Sequence, residues 1–321
     1  MNKMSAKRKS EEKQDKAAKN LKGPHGDGSD SRTGCDENNS MDEKHENKPL
    51  QDAIPHTGLS LPLDDIDLTS TTNEDIADEF LKIMDDFSQK LNALKFGKNV
   101  CYMYNPLTYA KETHEDFVRK YCKSTKKVLF LGMNPGPFGM AQNGVPFGER
   151  DHVVNWLKIT GNVGKPTKEH PKRQIVGLDC PRKEVSGQRF WGLWEQLCKN
   201  PERFFQTGFV YNHCPLVFMS DSGKNITPPT LPVKEREPLN KLCDAMLVKL
   251  LQLLQVEVVV GIGKFAEERA KKVVSEEQLE NVRVEVMLHP SPANPQSNKG
   301  WDSIVIKQLK ECNILKYFID E

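Results

Sequence analysis

The chain has 321 residues, with Lys+Arg 46 against Asp+Glu 45 and 37% apolar residues. That balance excludes a strongly basic histone-like protein and a strongly acidic tail protein. The low apolar share indicates that part of the chain builds no core.

The coreless part is the start. Residues 1–70 carry 11 Lys+Arg and 14 Asp+Glu, and residues 1–50 contain no Phe, Tyr, Trp, Val or Ile. Such a stretch cannot offset an ordering entropy of about 1–2 kcal/mol per residue. Residues 1–70 are therefore expected to be a disordered tail, and residues 71–321 a single α/β domain. Within the tail, Lys7-Arg8-Lys9 fits a nuclear address, and equally an ordinary solvated charge run. No apolar run reaches the roughly 18–20 residues that span a bilayer, and the N-terminus has no signal-peptide pattern, so an intracellular soluble protein is expected. The eight cysteines include no C-x-x-C pair and none beside a His at zinc-finger spacing. They read as free, buried thiols, and no metal or cofactor is expected.

Thr71 with Glu74 fits a capping box, and Ile76, Phe80, Ile83, Phe87, Leu91 and Leu94 follow at helical spacing. Val128 to Gly132 reads as a buried strand that breaks into Met133-Asn134-Pro135-Gly136-Pro137. A helix is expected over Phe190 to Leu197. Phe209 to Tyr211 is a second strand, running into Asn212-His213-Cys214-Pro215. Pro238 to Leu254 reads as a helix with Pro near its start. Val256 to Ile262 is a third strand, leading to a helix near Phe265. Val282 to Leu288 is a fourth, running into His289-Pro290-Ser291-Pro292. Apolar strands alternating with helices indicate a parallel sheet covered on both faces. Ligands of such sheets bind beyond the strands' carboxyl ends, where Asn134, Asn212 and His289 fall.

Each motif carries a functional and a plain reading. Gly132 to Met140, G-M-N-P-G-P-F-G-M, is either a rigid loop that brings backbone N–H groups to a ligand or a tight turn. Phe147, between Pro146 and Gly148, is a stacking platform or a core-filling ring. His289 is presented by prolines at 290, 292 and 295. Gly261-Ile262-Gly263 fits a dinucleotide fingerprint, but it sits on a late strand, and no Asp or Glu closes a convincing strand about 20 residues on; a close helix–strand packing turn is the better reading. Lys165 to Arg173 is a basic loop, followed by Arg182, Lys183 and Arg189. It suits phosphates or is simply a solvated face.

G-M-N-P-G-P-F-G-M at 132–140, G-V-P-F-G-E at 144–149, E-H-P-K-R at 169–173, R-F-W-G at 189–192 and H-P-S-P at 289–292 together resemble the single-strand-selective monofunctional uracil-DNA glycosylases. The resemblance covers about 75–315. It implies a three-layer α/β/α fold with a four-stranded, mainly parallel sheet. It implies hydrolysis of the N-glycosidic bond of uracil and oxidised 5-substituted uracils in DNA, without backbone cleavage, by a monomer in the nucleus. By matched position, Asn134 orients the attacking water and His289 hydrogen-bonds uracil O2. Asn212 reads the Watson–Crick edge, and Phe147 stacks on the base. Gly136 leaves room at C5, and Met133 and Pro137 line the pocket. The family commonly has Arg directly after H-P-S-P; here the residue is Ala293. Strand insertion and holding are then expected from Pro292, Asn294, Gln296 and Lys299, with Lys172 and Arg173 on DNA phosphates. Two competing readings are a non-catalytic single-strand-binding module and a dinucleotide enzyme built on Gly261 and Gly263.

Overall fold

The structure, a computed structural model, describes residues 73–319. The expected tail, its Lys7-Arg8-Lys9 patch and the Thr71 cap lie outside these residues.

The strands are β1 (Tyr102–Tyr104), β2 (Val128–Gly132), β3 (Gly208–Asn212), β4 (Val217–Met219), β5 (Asn225–Ile226), β6 (Val258–Ile262) and β7 (Arg283–Met287). The helices are α1 (Asn73–Ala93), α2 (Pro106–Tyr109), α3 (Lys111–Tyr121), α4 (Met140–Asn143), α5 (Val185–Cys198), α6 (Pro201–Phe205), α7 (Val233–Leu254), α8 (Lys264–Glu276) and α9 (Trp301–Glu311). Four strands form one sheet in the order β3-β2-β6-β7, every neighbour parallel. β2, β3 and β6 are buried at every position, which is why they read as unbroken apolar runs rather than alternating ones.

The chain leaves β2 for β3 on one side and returns to β6 on the other. The switch point beside β2 is where a doubly wound sheet opens a crevice. On one sheet face Phe130 packs against Phe190 and Trp194 of α5, Phe204 of α6 and Phe318. On the other, Phe209 packs against Phe80 of α1 and Phe117 of α3. The result is three layers.

Two features depart from the sequence reading. Helix α7 begins at Val233, five residues before Pro238, which lies inside it. Proline at N1 is favoured, but here it sits one turn further in and forfeits a single i→i−4 hydrogen bond while the buried Leu239, Cys243 and Met246 hold the helix down. A second, antiparallel sheet, β1-β4-β5, has no counterpart in the sequence pattern. Its strands are two or three residues long, too short to show a period.

Candidate active site

Gly132 and Asn212 end neighbouring strands in direct register. The ladder continues into the loops. His213 N donates to Gly132 O at 2.9 Å, and Cys214 N donates to Met133 O at 2.9 Å. This fixes Met133 and Asn134 against the Asn212 loop. The Asn134 amide donates to Leu216 O at 3.4 Å. Asn212 is 3% exposed. Among the described residues its Nδ2 donates only to the Met140 thioether, at 3.2 Å, and nothing donates to its Oδ1. A thioether is a weak acceptor, so this buried amide is nearly unspent.

Gly132 makes this geometry possible. A Cβ there would lie 2.1 Å from Asn212 Oδ1 and 2.9 Å from Phe147 Cε2. Only glycine lets the amide and the ring approach the same backbone.

Phe147 stacks one face on Phe190, with centroids 4.9 Å apart and planes at 23°. Its φ of 53° lies in the left-handed region, costing about 1–2 kcal/mol for a side chain of this kind. The loop is held there by the buried Asn143, whose Nδ2 donates to Gly148 O at 2.7 Å and whose Oδ1 accepts from Val145 N at 3.1 Å. Gly187 of α5 approaches so closely that a Cβ would lie 2.1 Å from Phe147 O.

His289 lies 6.3 Å from Phe147, ring to ring. Its Nδ1 accepts from Ser291 N at 3.0 Å, so a neutral ring carries its proton on Nε2. Burial lowers its pKa to about 4, which keeps the ring neutral at pH 7. No described residue accepts from Nε2. The second glycine of the supposed fingerprint serves this histidine: a Cβ on Gly263 would lie 3.0 Å from His289 Cβ. Gly261 abuts the backbone of Glu267, with a Cβ 2.4 Å from its nitrogen. Both glycines serve close packing.

The loop after His289 is preorganised by Arg189 of α5. That side chain donates to Pro290 O and to Asn298 Oδ1, each at 2.9 Å. Arg189 therefore belongs to this loop and not to the basic cluster in which the sequence placed it. Pro292, Ala293, Gln296 and Lys299 are exposed. Asn294 Oδ1 accepts from Gln296 N at 3.0 Å, so that side chain caps the turn rather than standing free.

Gly136 and Pro137 lie in the loop that carries Asn134. A Cβ at Gly136 would lie 3.3 Å from Glu184 Oε1. The Glu184 side chain also caps α5 by accepting from Gly187 N at 2.6 Å, and burial raises its carboxyl pKa. Behind Asn212, the buried His213 donates from Nε2 to Asp244 at 2.8 Å, and Arg269 grips the same carboxylate. The supporting roles of Glu184, Asn143, Arg189 and His213 were not legible in the sequence, because each depends on partners that only the folded chain brings to it. Lys172 is exposed and Arg173 half-buried. An open cleft of about 500 Å³, lined by Lys120, Lys126, Asn200, Arg203 and Phe205 among others, sits at the amino ends of β2 and β3. It is remote from this constellation.

Among the described residues no cluster of ligand side chains suits a metal ion, and no helix is long and apolar enough to cross a membrane. The profile of the Uracil DNA glycosylase superfamily matches residues 119–311. The single-strand selective monofunctional uracil-DNA glycosylase of Rattus norvegicus is 50% identical over 246 residues, 77% of this chain and 88% of that protein. Its Bos taurus counterpart is 50% identical over 240 residues, covering 75% and 88%. The Mus musculus protein is 47% identical over 266 residues, covering 83% and 94%. The crystal structure of wild-type Pedobacter heparinus SMUG2 superposes with a TM-score of 0.55 at 18% identity, covering 74% of this chain and 98% of that one, and bears on the fold alone. The chain belongs to the uracil-DNA glycosylase superfamily, within its single-strand selective monofunctional group.

Proposed function

We propose that this enzyme hydrolyses the N-glycosidic bond of uracil, and of 5-hydroxymethyluracil and related oxidised uracils, in single- and double-stranded DNA. The product is an abasic site with the backbone intact, which starts base excision repair. One observation carries the reading. At the strands' carboxyl ends three polar atoms have unspent hydrogen-bonding capacity: Asn212 Nδ2 as donor, Asn212 Oδ1 as acceptor and His289 Nε2–H as donor. Uracil presents the complementary set O4, N3–H and O2. Cytosine reverses the first two and would leave buried groups unpaired.

Cleavage passes through an oxocarbenium-like sugar, so the enzyme must mainly stabilise a departing base anion. A neutral His289 donating to O2 meets that charge as it forms. Losing one such donor typically lowers the rate by about 10²–10³. Asn134 is too weak a base to ionise water. It holds the water in line, which suffices when departure of the base leads the attack. Phe147, backed by Phe190, supports the base with its opposite face. Gly136 leaves C5 without a blocking side chain. Reaching the base requires taking it out of the stack, which is cheapest in single strands and at mismatches. Residues 132–140 contain no Lys, so no Schiff base forms at this loop and the strand stays uncut. The enzyme acts as a monomer in the nucleus, with Lys7-Arg8-Lys9 as the address.

The test is single-turnover release of free uracil from a single-stranded oligonucleotide. Asn134→Ala and His289→Ala are each expected to lower the rate at least tenfold with unchanged thermal unfolding. Wild-type rates in both would remove these roles. Binding without any release by the parent protein would instead support a non-catalytic module.

A further inference from the structure

Phe138 lies four residues past Asn134 on the same loop and is half-buried. Two guanidiniums sit over its ring, Arg173 at 5.3 Å and Arg182 at 4.2 Å from the centroid. They arrive from different segments. The buried Gln142 joins the first to the loop: its Nε2 donates to Pro137 O and Gln174 O, both at 3.1 Å, and its Oε1 accepts from Val176 N at 2.9 Å. The Tyr104 hydroxyl anchors the same segment, donating to Arg173 O at 3.0 Å and accepting from His170 N at 2.6 Å. Arg182 lies two residues before Glu184, which underlies Gly136 and Gly139.

Two neighbouring cations, Arg150 and Lys183, share the carboxylate of Asp151. Among the described residues no carboxylate lies within ion-pair distance of Arg173 or Arg182. Among the described residues the Arg173 side chain donates only to a backbone carbonyl, Lys172 O at 2.9 Å. Two unpaired guanidiniums fixed on one ring repel each other and are relieved by an external anion.

We propose that Phe138, Arg173 and Arg182 hold the DNA strand beside the flipped nucleotide. The guanidiniums take backbone phosphates, and the ring beneath them holds both in place by cation–π contact. The proposal rests on the glycosylase reading and deepens it. It also accounts for strand holding in a chain whose duplex-entering loop carries Ala293 where a cation is usual.

The probe is a single-stranded oligonucleotide with a tetrahydrofuran abasic analogue, and its dissociation constant is measured between 50 and 200 mM salt. Each phosphate contact on a single strand contributes about 0.7 to the log–log salt slope, so Arg173→Gln with Arg182→Gln should flatten it by about 1.4. Across that salt range the parent protein then loses about seven-fold more affinity than the double variant. Arg173→Lys with Arg182→Lys keeps the charges and should keep the slope. The two single Gln variants, each flattening it by about 0.7, provide a second reading. An unchanged slope in the folded Gln variants overturns the proposal, as does an equal loss in the Lys pair. Failure of the parent protein to release uracil would instead overturn the glycosylase reading.

Discussion

Gly132→Ala is the substitution whose consequence the geometry fixes most tightly. The new methyl carbon would lie 2.1 Å from Asn212 Oδ1 and 2.9 Å from Phe147 Cε2. Carbon–oxygen contacts below 3.0 Å are not tolerated, so the Asn212 amide must retreat by about 1 Å, and the ring must also move. A 1 Å misplacement of a substrate-positioning group costs on the order of 10²-fold in rate, or about 2.7 kcal/mol of transition-state stabilisation. The overpacking itself costs about 1–3 kcal/mol of stability, a modest part of what a domain of this size has. Single-turnover uracil release, read beside the thermal midpoint, separates the two effects. The expected result is a folded protein that excises about a hundredfold more slowly. A folded Gly132→Ala variant within threefold of the parent rate would refute the claim that Asn212 and Phe147 meet over this backbone.

Asn143→Ala removes the clamp on the left-handed Phe147 loop; it should lower stability by about 1–3 kcal/mol and slow excision further than that loss explains, read by denaturant unfolding and single-turnover assays. Ala293→Arg adds a cation to the loop that Arg189 holds rigid, and it should raise the duplex-to-single-strand excision ratio, read on matched oligonucleotides. Burial lowers the pKa of both His114 and His289 to about 4, below an unfolded value near 6.5. The native state therefore favours the neutral rings, and this contribution to stability is complete above about pH 6.5 and is lost as pH falls toward 4. For the fully buried His114 it amounts to roughly 3 kcal/mol, measurable as a falling thermal midpoint over that window. Excision should show no acid limb near pH 6.5.

The sheet was legible because β2, β3 and β6 are buried on both faces and so are written in apolar residues and glycine, with Asn212 at the end of β3 the one polar exception. The loops that follow them were legible as sharp changes to Asn, His, Pro and Gly. What escaped the sequence was the support. Gln142 sits in a four-residue helix too short for a period, yet it joins two loops. Glu184 reads as one more charge among its neighbours, but its carboxyl is buried beneath Gly136 and Gly139. Arg189 looked like part of a basic run until the fold turned it toward Pro290. Gly263 matched a cofactor fingerprint because clearance for a histidine and clearance for a phosphate demand the same residue.

The central claim is that the base leaves as an anion met by His289. It is tested most directly by comparing His289→Ala with the parent on uracil and 5-fluorouracil in the same single-stranded oligonucleotide. Fluorine is small at C5 and makes the base a better leaving group, so it needs less help. The loss caused by His289→Ala should be clearly smaller for 5-fluorouracil than for uracil. Equal losses on both substrates would show that His289 does not stabilise the departing base.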